Sequence, residues 1–402
     1  MTFVYLDNNA STPLDIDVTE AMEQWKSLYG NPHAGHFLGG MAREAISKSR
    51  SQVLNVFGLD ESRWTCIFTS GASESNNLAI KGTVFNAWRQ KNDNSIKLLT
   101  SAVEHSSVDN CITYLRELFG PERVHVELLP VDSHGLVSLT TAESILEKNG
   151  PFDLLSCIHT VAETGAVQPI CETANLFRSY NPNGLLHCDA SQSVEKLSQD
   201  CLGSVGVHAD LITVAGHKFG APKGIGALLV RNEVMGRIDP IIHGAGQEFN
   251  MRGGTENVAS IVGLGAACEL ASKSIIPEME PAAILWETIR TILDSFQVDY
   301  RLNSTSPVRS PYTVNFSVAG LNGPQLVSQL GNDNKFGVKI CFSAGSACHS
   351  RGGPSPSKVL ASMGLESKYS TSGIRLSIGK SNSTEKLVSA GEIIARHICE
   401  SL

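Results

Sequence analysis

The sequence predicts an α/β protein: a mostly parallel sheet covered by helices, followed by a smaller C-terminal α/β unit. Two observations carry this. Apolar, β-branched runs alternate with helical patterns through the first two thirds of the chain. Beyond the helix that ends near Ser272, Pro277 and Pro281 bracket a change of character. With 402 residues there is room for two sizeable cores. Hydrophobic residues at 42% and charged residues at 18% read as globular. A net charge of -8 argues against nucleic acid as the main partner. No apolar run approaches a membrane span, so no membrane partner is expected. The start, Met1-Thr2-Phe3-Val4-Tyr5-Leu6-Asp7, resembles no targeting segment. Ten scattered cysteines without CxxC or zinc spacing predict no metal, and free thiols in a cytoplasmic, reducing setting.

In chain order, Tyr5-Leu6-Asp7 starts strand-like and runs into a turn, and helices are expected over 16–27 and 43–57. The strand Trp64 to Thr69 ends at Ser70-Gly71-Ala72-Ser73, and a helix follows from Glu74 to about Gln90. Strand, small-residue turn and helix N-terminus make a natural anion site. A serine N-cap on an ordinary link is the competing explanation. Strands are expected at 97–101, 124–129, 154–160 and 185–188, with helices at 107–118, 140–147 and 171–180 between them. The strand from Leu185 ends in Asp189, and the strand from Leu211 ends in Lys218. Ligands of such sheets bind beyond the strands' carboxyl ends, so these two residues mark a shared site. A helix then covers Val258 to about Ser272. The smaller unit alternates helix 283–296, strand 312–318, helix 324–330, strand 338–342, helix 358–363, strand 374–378 and a last helix from Thr384. We place the large unit at 15–260, and the small one at 1–14 and 261–402, carrying a mobile loop of small residues at about 343–354.

A lysine, a carboxylate, a phosphate cradle, a group over a ring face and a cation for a substrate carboxylate are the parts a pyridoxal phosphate site needs. The chain offers Lys218, Asp189, Gly71-Ala72-Ser73, His105 and Arg375. Each alone has a structural explanation, as a turn aspartate or a solvated lysine; together at sheet edges they point to a site.

The motifs that carry a resemblance run through nearly the whole chain. They are Leu6-Asp7-Asn8-Asn9-Ala10-Ser11-Thr12-Pro13, Thr69-Ser70-Gly71-Ala72-Ser73-Glu74-Ser75-Asn76-Asn77, Val103-Glu104-His105, Asp189-Ala190-Ser191-Gln192, Gly216-His217-Lys218, Arg252-Gly253-Gly254-Thr255-Glu256-Asn257, Gly345-Ser346-Ala347-Cys348 and Gly373-Ile374-Arg375-Leu376-Ser377. They resemble the cysteine desulfurase and selenocysteine lyase family of class-V aminotransferase-like enzymes. The resemblance implies a fold-type I pyridoxal phosphate enzyme with a seven-stranded sheet, a homodimer with its site at the subunit interface. It further implies Lys218 as the Schiff-base lysine and proton shuttle, Asp189 on the ring nitrogen, Gln192 on the ring hydroxyl, and His105 stacked on the ring. Ala72, Ser73 and His217 would hold the phosphate, with Thr255 contributed across the interface. Arg375, helped by Asn9 and His36, would hold the carboxylate of a small amino-acid substrate. Cys348 is the implied nucleophile, which becomes a persulfide and passes sulfur to an acceptor protein; its neighbours His349 and Arg351 favour thiolate.

Ala162 stands where the family carries an asparagine that bonds cofactor and substrate, and Lys380 replaces a common arginine. Cys348-His349-Ser350 and Pro354-Ser355-Pro356-Ser357 lean toward selenocysteine lyases. Two alternatives remain: another use of the same α-carbanion, as in a specialised cyclase, epimerase or lyase, which Ala162 favours; and a non-catalytic partner in sulfur transfer, which Lys218 and Asp189 oppose.

Overall fold

The computed structural model describes residues 3–90, 95–274, 280–332, 337–345 and 355–402. It opens with β1 (Phe3–Tyr5), α1 (Ile16–Glu23), α2 (Phe37–Asn55), β2 (Trp64–Thr69) and α3 (Ala72–Gln90). Then come β3 (Ile96–Ser101), α4 (Ser106–Phe119), β4 (Val124–Leu129), α5 (Leu139–Asn149), β5 (Leu154–Ile158) and α6 (Ile170–Tyr180). The large sheet is completed by β6 (Leu185–Asp189), α7 (Gln199–His208), β7 (Leu211–Ala215) and β8 (Gly226–Arg231), and α8 (Val258–Ser272) follows.

Seven strands form that sheet in the order β2-β8-β7-β6-β5-β3-β4, and only β8 runs against the others. Strands β5, β6 and β7 are buried along their whole length, as the unbroken apolar runs predict. Helix α8 lends Ile261, Leu264, Ala267 and Cys268 to the same core as β2 and β7. A boundary at 260 would cut this helix from the core it completes, so we propose the division after α8.

The smaller unit contains α9 (Pro281–Ser295), β9 (Tyr300–Leu302), β10 (Thr313–Val318), α10 (Gly323–Asn332), β11 (Lys339–Cys341) and β12 (Ser343–Ala344). It closes with α11 (Lys358–Ser362), α12 (Ser367–Ser370), β13 (Gly373–Ser377) and α13 (Thr384–Ser401). Its antiparallel sheet, β12-β13-β10-β9, shares a core with α9 and α13 through Leu285, Ile289, Phe316, Ile374, Ile394 and Ile398. Strand β1 pairs in parallel with β11, and Leu6 is buried in this core.

Two expected boundaries shift for local reasons. The helix expected to start at Arg43 begins at Phe37, because His36 caps it by accepting from Gly39 N at 3.3 Å. The strand expected to reach Lys218 stops at Ala215. Gly216–Lys218 turns as a 3-10 helix, with Gly216 packed against Ala221 and Ile225.

Candidate active site

A cavity of ≈ 540 Å³ lies beyond the carboxyl ends of β5, β6 and β7, lined by Gly71, Ala72, Ser73, His105, Asp189, Gln192, His217 and Lys218. Beside it opens a second, of ≈ 390 Å³, lined by Glu163, Gly345, Ser357 and Arg375. His105, Ile158 and Ala162 belong to both walls. Ala162 is therefore part of the seam.

The 3-10 turn after β7 sets Lys218 on the wall, where its Nζ donates to the carbonyls of Asn9 (2.6 Å) and Ala10 (3.1 Å). Burial, with Lys218, Lys223 and Lys196 adding repulsion, pushes His217 down to about 4, so its ring is neutral near pH 7. Asp189 ends β6 and is buried. Its carboxylate accepts from Asn76 Nδ2 at 2.8 Å and from Ser191 N at 3.0 Å. The same Asn76 amide donates to Ser107 Oγ at 2.8 Å, and Ser107 N donates to His105 Nδ1 at 3.1 Å. Nδ1 is thus an acceptor, which leaves the ring proton on Nε2. One relay links the aspartate to the histidine.

At the N-terminus of α3, Gly71 has φ +150, and Ala72 and Ser73, the first residues of the helix, line the cavity. Gly226 on β8 lets the two backbones meet: a Cβ there would lie 2.7 Å from Gly71 Cα and 2.6 Å from Val214 O. Glu74, on the same turn, is drawn to Arg252 (2.9 Å) and to Ser70 N (2.8 Å).

Arg375 on β13 pairs through Nη2 with Asp7 at 3.0 Å, and its Nη1 donates to Ala162 O at 3.4 Å. Its Nε is buried without a partner among the described residues. Asn9 sits behind the wall, donating through Nδ2 to Ala162 O and Thr313 Oγ1, both at 3.0 Å. His36 and Thr255 are exposed and line neither cavity. The loop with Thr255 is tied to residue 33 by His33 Nε2, 2.9 Å from Glu256 Oε1. Cys348 lies outside the described residues.

Three residues of this region were given no role by the sequence, although Asn76 lies within a family motif. Asn76 sits one helical turn inside α3, beyond the Gly71-Ala72-Ser73 signal. Glu163 is buried, and desolvation pushes it up to about 7. Its Oε2 accepts from Ser357 Oγ at 2.7 Å, and its Oε1 packs so close to Gly345 that a Cβ there would lie 2.4 Å away. Lys196 is buried behind Gln192. A lysine seven residues past a strand end reads as surface, and only its contacts mark it.

The aminotransferase class-V family model matches residues 4–388. The chain belongs to the class-V aminotransferase family. It is 35% identical over 396 residues to a cysteine desulfurase IscS of Dictyoglomus turgidum, covering 98% of this chain and 94% of that one. A solved NifS-like protein superposes with a TM-score of 0.83 at 29% identity, over 100% of both chains. The solved SspA in complex with cysteine gives 0.74 at 31% identity, over 94% of this chain and 99% of that one. The fold is that of fold-type I pyridoxal phosphate enzymes, and the chain has the parts for that cofactor. A buried carboxylate held by two donors suits a ring N–H, and an α3 N-terminus opened by two glycines suits a phosphate.

Proposed function

We propose that the protein is a pyridoxal phosphate-dependent cysteine desulfurase working as a homodimer in the cytoplasm. The observation that carries the reading is a pair of joined cavities, with Lys218 and Asp189 on the wall of one and Arg375 on the wall of the other. The relatives named above support it. Free thiols at the nine described cysteines suit a reducing compartment. Among the described residues no helix is long and apolar enough to cross a membrane.

In this reading Lys218 anchors the cofactor and then moves the α-proton of the substrate. Asp189 keeps the ring nitrogen protonated, Gln192 meets the ring hydroxyl and His105 covers the ring face. The α3 N-terminus with Ala72, Ser73 and His217 holds the phosphate, with Thr255 of the partner subunit. Arg375 turns its fork to the substrate carboxylate, with Asn9 fixing the carbonyl of Ala162 beneath it; His36 completes the site from an exposed loop. Bound pyridoxal phosphate supplies the electron sink for the carbanion at the α-carbon. Cys348 thiolate attacks the substrate sulfur, so a C–S bond breaks, an S–S bond forms, and alanine leaves a persulfide for an acceptor protein. Selenocysteine is a second substrate of the same chemistry. Ala162, a bare methyl at the seam, favours one competing reading, in which the carbanion serves an epimerase, cyclase or other lyase.

The test is incubation with L-cysteine and a reductant. Alanine and sulfide should appear in equal amounts, Cys348→Ala should stop both, and Lys218→Ala should abolish the visible absorbance of the loaded protein. A colourless wild type that cannot be reconstituted would sink the cofactor assignment. Exchange of the α-proton without alanine would favour the competing reading.

A further inference from the structure

Among the described residues Lys196 is the one fully buried lysine, 5% exposed. Its Nζ donates to two amide oxygens, Asn9 Oδ1 at 2.9 Å and Gln192 Oε1. Both amides are thereby oriented. With Oε1 turned to Lys196, the Gln192 amide donates through Nε2 to Asn9 O at 2.8 Å, and its second N–H is left for the cavity that Gln192 lines. With Oδ1 turned the same way, Asn9 must donate through Nδ2 to Ala162 O and Thr313 Oγ1. Asn9 O in turn receives Lys218 Nζ at 2.6 Å.

An amide is ambiguous, because its two ends differ in role and hardly in shape. A lysine removes the ambiguity, since it approaches with N–H donors. Burial, with repulsion from Lys218 and Arg375, pushes Lys196 well below its ordinary pKa. In either protonation state the amine has the two N–H groups these bonds require. An apolar side chain of similar length would leave two buried amide oxygens without a donor, and turning the amides over is the response open to them.

We propose that Lys196 is a positioning residue, which fixes the Gln192 amide so that the cofactor cavity meets an N–H donor and not a carbonyl. The ligand atom it selects is a hydrogen-bond acceptor, such as the ring oxygen of pyridoxal phosphate in its deprotonated form. The inference rests on the cofactor reading above. With the amide reversed, the carbonyl of Gln192 would face that oxygen and favour its protonated form.

The test compares Lys196→Met, Gln192→Leu and the double variant with wild type. For Lys196→Met we expect an apoprotein that folds and is less heat-stable than wild type, since two buried hydrogen bonds are lost. The loaded variant should bind cofactor about tenfold more weakly, the loss expected for one misdirected hydrogen bond. Its visible absorbance should titrate at least ~1 pH unit away from wild type. Gln192→Leu should reproduce both effects, the double variant should add nothing further, and Lys196→Arg should restore part of the titration. An unchanged titration in Lys196→Met, or additive effects, would overturn the proposal. A crystal structure of the Lys196→Met apoprotein decides it without cofactor: Gln192 retaining its wild-type amide bonds counts against it. A wild type that takes up no pyridoxal phosphate would overturn only the parent reading.

Discussion

Two buried glutamates and a histidine give the protein a stability that depends on pH. Desolvation pushes Glu104 up from 4.5 to about 8, against bonds from Ser101 and Ile158 N, and pushes Glu163 up to about 7. Both hold protons in the folded chain that the unfolded chain releases. Their stabilisation is complete below pH 4.5 and is lost as pH rises through about 7 and about 8. His159 works the other way. Burial pushes it down to about 4, so its contribution is complete above 6.5 and is lost as pH falls toward 4. Glu104→Gln and Glu163→Gln should each flatten the alkaline fall, measured as apoprotein unfolding free energy against pH. An unaltered slope in both would show that these carboxyls are ionised in the fold. At the seam, Ala162→Asn should supply a donor to the substrate and raise kcat/KM for L-cysteine by roughly tenfold, a hydrogen bond to a charged group being worth about 1.5–3 kcal/mol.

The N-terminus of α3 depends on β8, which is separated from it in sequence by the five strands β3 to β7 and pairs with β2, the strand leading into α3. Gly226→Ala would drive a methyl into Gly71 and Val214 O, an overpacking of about 1–3 kcal/mol. We expect a lower Tm and weaker phosphate retention, seen as faster loss of cofactor on dialysis. Normal retention would mean that the cradle tolerates a shift of β8. The elements that positioned Asp189 and Lys218 were legible because β6 and β7 are apolar runs cut off by polar residues. Strand β8 was not. Ala227-Leu228-Leu229-Val230 is buried on both faces and sits inside a glycine-rich stretch, so no period of two distinguishes it from a loop. Helix α7 was missed as well, since only Leu202, Val205 and Gly206 of its ten residues are buried.

For the whole molecule, the proposed homodimer explains a surface that a monomer would leave wet. Tyr29 is 88% exposed, Phe37 74% and Phe249 55%, and Phe37 opens the helix next to the loop held by His33 to Glu256. Phe37→Asp should yield a monomer by light scattering, with weakened cofactor binding because Thr255 of the partner subunit is withdrawn. A dimer that persists would move the interface elsewhere. Strand ends and family motifs pointed to Lys218, Asp189 and Arg375. Asn76 lay inside one of those motifs without a role, and Glu163 and Lys196 went unmarked; the contacts of all three come from packing between segments far apart in the chain. The stretch that joins the most distant parts of the chain is 6–12. Leu6 N bonds to Cys341 O, Asn8 N to Ser377 O, and Thr12 N to His217 O. A ribosome therefore releases this segment long before its partners exist, and it must wait for residue 377. The cavity wall behind Lys218 closes only once β13 has been made, so a chain cut short of β13 cannot be a slower enzyme; it lacks the wall.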